Sequence, residues 1–223
     1  MHFLLGLFLP LAVLAQGPEK YPDRCKDNPC AGIPSQNTSY VCGDPRLGPV
    51  NLPSKFPLST ETDTYARFGS LCPKEWLDKW TTSDGNLIYP PQDGFALDND
   101  KNRIWGNYSL TVGNKVDRFG SEYGQYLTML GAPYIERALP PGNLDTYDGK
   151  YPYNYHVYEV LKDVDVLVGP VAAWFEQPGM GTQIFSSKRV NELLEGGFLR
   201  RLSEDEYDER NEYAEPARQD QEE

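Results

Sequence analysis

The sequence has few of the residue types on which common catalytic centres depend. It contains two histidines in 223 residues, and beyond residue 2 only His156 remains. A zinc site with two histidine ligands and an HExxH motif are therefore excluded. A Ser-His-Asp triad would depend entirely on His156, which lies in a tyrosine-rich segment and is more typical of a structural histidine. The GxGxxG and P-loop motifs are also absent, so a bound nucleotide would be held by other means.

Long hydrophobic runs are also scarce. The apolar stretch from Phe3 to Leu14 is shorter than the ~20 residues that a membrane-spanning helix needs. Small residues follow at Ala15 and Gly17, as at a signal-peptide cleavage site. The pattern predicts a secretory signal peptide over residues 1–17, no membrane span, and a secreted or cell-surface protein.

Cysteines are few and confined to the first third of the chain, at Cys25, Cys30, Cys42 and Cys72. An even number in a secreted chain predicts two disulfides, for which three pairings are possible. Their order along the chain favours Cys25–Cys30 with Cys42–Cys72. Two sequons, at Asn37 and Asn107, predict glycosylation of a secreted surface.

Basic residues are outnumbered, and the formal net charge is −12. The segment from Ser203 to Glu223 holds ten acidic and two basic residues, a net charge of −8. The rest of the chain is therefore only mildly acidic. Nucleic-acid binding is not expected, because phosphate backbones are bound by clustered lysine and arginine.

Turn-forming residues are abundant, with 20 glycines and 19 prolines. They predict short strands and helices in an α+β fold, with a mainly antiparallel twisted β-sheet and a disulfide-pinned N-terminal arm. A helix is expected to begin at Pro73, and Ser187 is expected to cap a further helix. Strands are expected where Tyr153, Tyr155 and Val157 alternate and again over 164–168. The predicted divisions are a signal peptide (1–17), an N-terminal disulfide-containing lobe (18–85), a core (86–203) and an acidic tail (204–223).

The most informative stretch runs from Val116 to Gln183. It contains DRFGSEYGQYL, GAPYIERALPP, YPYNYHVYEV and GPVAAWFEQPGMGTQ, in that order. This series resembles the NAD glycohydrolases of the tuberculosis necrotizing toxin domain family, most of all their secreted fungal members. The resemblance implies that NAD or NADP is the substrate and that no redox cofactor takes part.

Two arginines in this stretch suit the pyrophosphate of NAD, because a planar guanidinium binds phosphate oxygens through two parallel hydrogen bonds. The resemblance places both Arg118 and Arg137 in the pocket. From the residues alone, structural ion pairs are an equal alternative, Arg118 with Asp117 or Arg137 with Glu136.

The resemblance also assigns the rest of the pocket. Phe119 would stack on the nicotinamide or close its apolar pocket. Tyr126 and Trp174 would line the walls, and Glu176 could balance positive charge on the ribose. Gln183 would be the essential residue, since its amide can hold a ribose hydroxyl or orient the attacking water.

Secreted fungal members of this family carry a calcium site in the tail. Asp208 and Glu209 match its positions, and carboxylates are the ligands that calcium prefers. The alternative is a solvated acidic tail. The disulfide-held arm of the fungal members also implies a homodimer.

Three functions remain open at this point. The first is hydrolysis of NAD to nicotinamide and ADP-ribose. The second is ADP-ribosyl transfer or cyclisation, which is disfavoured because transferases usually carry a glutamate where this chain has Gln183. The third is a non-catalytic, calcium-binding extracellular adhesion module.

Overall fold

The structure is a computed structural model that describes residues 21–146 and 151–207. Its centre is a seven-stranded sheet with the strand order β1-β5-β6-β3-β2-β4-β7, in which all six pairings are antiparallel. The strands are β1 (Gly106–Leu110), β2 (Lys115–Phe119), β3 (Tyr126–Met129), β4 (Tyr155–Val160), β5 (Val164–Pro170), β6 (Thr182–Phe185) and β7 (Leu199–Leu202). The α+β class with a mainly antiparallel sheet is confirmed.

The sheet buries both of its faces, because alternate side chains of a strand point to opposite sides. Val116 and Tyr158 lie on one face, in an aliphatic core that includes Leu193. Phe119 and Tyr155 lie on the other face, in an aromatic core under the loops between strands. Of the candidate residues on strands, Phe119, Tyr126 and Gln183 lie on this second face, whereas Arg118 alternates with Phe119 and lies on the first.

The described residues form four short α-helices: α1 (Leu58–Glu61), α2 (Pro73–Trp80), α3 (Val190–Glu195) and α4 (Glu204–Tyr207). The helix predicted at Pro73 is confirmed. The predicted cap of α3 is wrong: α3 begins after Arg189, whose backbone N–H donates to Glu192. Tyr153 is not in a strand, since it lies in a 3-10 turn before β4 begins.

Two disulfides hold the N-terminal segment, and the favoured pairing was wrong. Cys25 is bonded to Cys72, and Cys30 to Cys42. The Cα atoms of the two pairs are 6.2 and 5.1 Å apart, within the range that a disulfide spans. The folded path brings the start of the segment to the start of α2, which nearness in sequence does not predict.

The other sequence-based expectations concern the surface and the chain ends. The predicted signal peptide lies outside the described residues. Asn37 and Asn107 are both exposed, Asn107 on the edge strand β1. Within the described ranges no helix is long and apolar enough to cross a bilayer.

Candidate functional site

Arg118, at the end of β2, is a half-buried cation. Its Nε donates to the carbonyl of Ser121 at 2.8 Å and its Nη1 to the carbonyl of Tyr126 at 2.7 Å. No described carboxylate forms an ion pair with it, so the predicted alternative of a pair with Asp117 does not occur. Burial lowers the pKa of the Arg118 guanidinium, which means that its charge is incompletely solvated. An anionic ligand would relieve that cost.

Tyr126 and Gln183 lie on the same face of the sheet. Tyr126 pairs with Phe185 across β3 and β6, their rings are 5.3 Å apart, and Gln183 is two residues before Phe185. Burial, with the nearby charge of Asp93, raises the pKa of Tyr126. The carbonyl of that same Asp93 accepts a hydrogen bond from Gln183 Nε2 at 2.9 Å. Arg118, Tyr126 and Gln183 are thus grouped by the structure.

The described part of the protein binds the Gln183 amide through its Nε2 atom. Its Nε2 uses one hydrogen on Asp93, and the second hydrogen and the Oε1 acceptor have no protein partner among the described residues. Gly94 lies beside the amide, and a Cβ there would be 3.3 Å from Oε1. The amide is therefore oriented by the protein while it keeps both a donor and an acceptor for a ligand.

The glycine-rich turn before Gln183 lies against the loop that carries Arg137. Gly181 donates its N–H to the carbonyl of Glu136 at 3.1 Å. A Cβ on Gly181 would be 2.8 Å from that oxygen, so glycine is required for this close approach. The turn thereby connects Gln183 to the Arg137 segment.

Phe119 and Arg137 form a second group, inside the protein. Phe119 is 2% exposed, and the Arg137 guanidinium lies 4.8 Å from the centre of its ring. The rings of Tyr134 and Tyr155 lie 5.0 and 4.7 Å from Phe119. A ring enclosed in this way is fixed by its neighbours and is not exposed for the predicted stacking on a ligand.

Arg137 is the most completely bonded arginine of the predicted set. Its Nε and Nη2 donate to the carbonyl of Ala132, its Nη1 to Asp117 at 2.5 Å and to Thr128, and its Nη2 to Asp117 and Glu61. All five N–H groups are used. Burial alone would lower the pKa of Arg137, but Asp117 and Glu61 hold it above its ordinary value. Arg137 does form a structural ion pair, with these two residues and not with Glu136.

The sequence analysis missed three residues of this network: Glu61, Asp117 and Tyr155. Asp117 could have been found, because it has the same parity on β2 as the core residue Phe119 and must point inward. Glu61 could not, since it lies 76 residues from Arg137. Burial and the charge of Asp117 raise the pKa of Glu61 to about 7, against the opposing effects of Arg137 and of a hydrogen bond from Tyr155.

Trp174 and Glu176 lie in a third group, against the N-terminal segment. The Trp174 ring is 5.0 Å from Trp80, and its indole N–H donates to the carbonyl of Ile88. Glu176 forms an ion pair with Lys79. That pairing removes the basis for assigning Glu176 a free charge beside the ribose.

Two cavities lie away from these residues. One, of about 450 Å³, is lined by residues of the N-terminal segment that include Arg46 and Lys74. The other, of about 480 Å³, lies along β1 and β5 and reaches Phe185. Neither of these two cavities is lined by Arg118, Tyr126 or Gln183.

No group of three or more histidine, cysteine, aspartate or glutamate side chains in the described ranges could hold a metal ion. The predicted calcium ligands Asp208 and Glu209 lie outside those ranges. His156 is buried, and its Nε2 lies 3.2 Å from the amide oxygen of Asn154, as expected of a structural histidine.

Comparison with known proteins finds a matching family, a similar relative and similar solved structures. Residues 109–202 match the family described as Tuberculosis necrotizing toxin. A conidial surface nicotinamide adenine dinucleotide glycohydrolase, nadA, of Aspergillus fumigatus is 59% identical over 219 residues, which cover 96% of this chain and 94% of the relative. Among solved structures, tuberculosis necrotizing toxin bound to its immunity factor is 20% identical with a TM-score of 0.48, covering 90% of this chain and all of the toxin chain. Rhs1-CT, bound to its immunity protein, has a TM-score of 0.31 at 20% identity and covers 46% of this chain and 81% of its own.

Proposed function

This chain belongs to the tuberculosis necrotizing toxin family, and we propose on that basis that it is a secreted or cell-surface NAD glycohydrolase. The reaction would consume NAD and water and release nicotinamide, ADP-ribose and a proton. The 59% identity to a fungal NAD glycohydrolase over 96% of the chain supports it. The observation that carries the proposal is the half-buried Arg118, which has no carboxylate partner among the described residues and lies beside Tyr126 and the partly free amide of Gln183.

Cleavage of NAD needs no general acid to protonate the leaving group. The nicotinamide of NAD is already a pyridinium, so it leaves as a neutral molecule and needs no proton. The paired carboxylates of O-glycosidases are then not required. What remains is to hold the pyrophosphate, exclude water from the nicotinamide, stabilise a positively charged ribose and admit one water molecule.

The grouped residues match these needs. In the proposal, Arg118 holds the pyrophosphate through charge-assisted hydrogen bonds. Tyr126 contributes an aromatic wall, and the enclosed Phe119 ring lies beneath the site. Gln183 uses its free Oε1 and its remaining N–H to hold a ribose hydroxyl and the attacking water. Arg137 has no donor left, so its proposed part is to support Phe119 from below.

The direct test is to incubate the purified protein with NAD and separate the products. Nicotinamide with ADP-ribose in equal amounts is the expected result. Cyclic ADP-ribose, or ADP-ribose attached to an acceptor, would point to cyclisation or transfer. Unchanged NAD under all conditions would contradict the proposal and leave an extracellular binding module. The same assay with NADP determines the substrate preference.

Arg118→Ala is expected to reduce kcat/KM for NAD by roughly 10- to 150-fold. The reason is the loss of a hydrogen-bonded charge, worth about 1.5–3 kcal/mol, at about 1.4 kcal/mol for each factor of ten. Arg118→Lys should recover only part of this, because lysine cannot form the two-pronged contact. Steady-state kinetics of both variants measure the effect.

The matched control is Arg200→Ala, which removes an exposed arginine of β7 that pairs with Glu159 and Glu206. Its kcat/KM should equal that of wild type. If Arg118→Ala matches the control, the pyrophosphate is bound elsewhere.

We propose further that Asp208 and Glu209 bind calcium, on the strength of the resemblance to secreted fungal members. Glu206, two residues earlier, already contacts Arg200 and Ser203, so we do not assign it to the calcium site. An Asp208→Ala/Glu209→Ala double variant is expected to lose calcium binding in calorimetry, because it removes two charged ligands from a shell of 6–8 oxygens. An Asp220→Ala/Glu222→Ala variant is the control. Equal calcium heats in the two variants would support a solvated tail.

Secretion, glycosylation at Asn37 and Asn107, and a homodimer complete the proposal. The exposure of both asparagines supports the glycans. Mass spectrometry of the secreted protein identifies the cleavage site and the glycans, and sedimentation measures the oligomeric state. A monomer would remove the dimer from the proposal.

A further inference from the structure

The hydrogen bonds of the buried network beside the site require one more proton than the network has when both of its carboxyl groups are ionised. Tyr155 Oη lies 2.9 Å from Glu61 Oε1 and 2.9 Å from Asp117 Oδ2. A phenol carries a single hydrogen and can donate to only one of these oxygens. If both carboxyl groups were ionised, the other 2.9 Å contact would join two acceptors. One of the two carboxyl groups must therefore carry the missing proton.

The hydrogen-bond partners identify which carboxyl group it is. Besides Tyr155, Asp117 accepts from both Nη atoms of Arg137, from the Thr128 hydroxyl at 2.8 Å and from the Gly131 N–H at 3.0 Å. Four such donors stabilise an ionised carboxylate. From the described residues, Glu61 accepts one other hydrogen bond, from Arg137 Nη2 at 3.1 Å. Glu61 is thus the poorly stabilised anion of the pair.

Charge balance also requires that one carboxyl group of the pair is protonated. The charged side chains in contact are Glu61 from α1, Asp117 from β2 and Arg137 from the turn after β3, and Tyr155 from β4 is the other titratable group. Two ionised carboxylates would leave this buried cluster with one uncompensated negative charge, which is costly. One protonated carboxyl group makes it neutral. The raised pKa of Glu61, about 7, agrees.

We infer that Glu61 is a positioning residue that acts in its protonated form, donating to Tyr155 Oη while Tyr155 donates to Asp117. The chain of hydrogen bonds holds the Arg137 guanidinium under the Phe119 ring, at 4.8 Å. Glu61 comes from the N-terminal segment, outside the 109–202 region that matches the family. That segment therefore completes the support of the site. The inference rests on the proposed function only where it concerns catalysis.

The consequence for pH follows from the direction of the shift. Glutamate has an ordinary pKa of about 4.3, so between about pH 4.3 and pH 7 the folded protein binds more protons at Glu61 than the unfolded chain does. Its contribution to stability is fully present below about 4.3 and is lost as the pH rises through about 7. Glu61→Gln keeps a donor for Tyr155 and cannot ionise, so the variant should lack this dependence.

The experiment compares wild type, Glu61→Gln, Glu61→Ala and the exposed control Glu195→Gln in denaturant unfolding from pH 4 to pH 8. Relative to Glu61→Gln, wild type should lose stability as the pH rises towards 7, and the control should follow wild type. Difference infrared spectra should show a protonated carboxyl band at pH 6 that Glu61→Gln lacks. Parallel unfolding profiles for wild type and Glu61→Gln, with no such band, would overturn the inference.

Activity distinguishes positioning from stability alone. Misplacement of a site by about 1 Å can cost ~10²-fold in rate, so kcat of Glu61→Ala should fall by tenfold or more in folded protein. Glu61→Gln should restore it at pH 6, and above pH 7 its kcat should exceed that of wild type. Coincident pH profiles of kcat would contradict the positioning role. If no variant cleaves NAD, the proposed function fails while unfolding and infrared spectra still decide the proton on Glu61.

Discussion

Gln183→Ala is expected to reduce kcat for NAD cleavage by about 10²–10³-fold, the cost of removing one preorganised polar group from a transition-state site. The structure explains why the loss should be catalytic. The Asp93 carbonyl already orients the amide, and its Oε1 has no described protein partner. The fold should persist, because the side chain contributes a single hydrogen bond to the protein. Kinetics at saturating NAD, with a circular dichroism spectrum, measure both.

Thr182→Ala is the matched control, since Thr182 is the exposed neighbour of Gln183 on β6 and faces the other way. Its kcat should equal that of wild type. Gln183→Glu extends the test: it places the residue typical of ADP-ribosyltransferases at this position, and any rise in transfer relative to hydrolysis would show that the residue selects the reaction. A folded Gln183→Ala protein with wild-type kcat would refute the proposed mechanism.

Arg137→Ala should be the most destabilising single change in the candidate site. It leaves Asp117 and Glu61 buried without their cation, a situation that typically costs about 3–5 kcal/mol. In a chain of this size that corresponds to a fall in Tm of roughly 6–20 °C. Activity should be lost as well, because Phe119 loses the guanidinium on which its ring rests. Thermal and denaturant unfolding give the stability.

Two further variants keep this prediction testable if Arg137→Ala does not fold. Arg137→Lys retains the charge but not the five donors, so it should fold with intermediate stability. Lys74→Ala removes a partly exposed lysine that pairs with Asp78 on α2, and should cost about 1 kcal/mol or less. Equal losses for Lys74→Ala and Arg137→Ala would mean that the buried network contributes no more than a surface pair.

In the proposed site the two groups of residues have different parts. Burial leaves the Arg118 charge incompletely solvated, and Gln183 keeps a donor and an acceptor without a partner among the described residues, as expected of substrate contacts. Arg137 and Phe119 are enclosed, and every donor of Arg137 is used within the protein. All four residues lie in the 109–202 range that matches the family, so the resemblance alone did not separate their roles.

Local pattern was sufficient for the fold class and for several elements. Alternation of Val164, Val166 and Val168 predicted β5, and Pro73 marked the start of α2. These features depend on neighbours within one turn or one strand, so the sequence contains the necessary information. The α3 boundary was misplaced because Arg189, a residue without a typical capping side chain, precedes the helix while Glu192 supplies the cap.

By itself the sequence predicted an α+β fold of short elements, excluded a zinc site with two histidine ligands, and indicated the family through the stretch from Val116 to Gln183. Only the tertiary structure decided the disulfide pairing, the absence of an ion pair between Arg118 and any described carboxylate, and the burial of Arg137 between Asp117 and Glu61. The physical reason is that ion pairs and disulfides depend on contacts between residues that are far apart in the sequence. Glu61 and Arg137 are 76 residues apart, and Cys25 and Cys72 are 47 apart. Local propensity carries no information on such contacts, whereas packing of the N-terminal segment on the sheet establishes them.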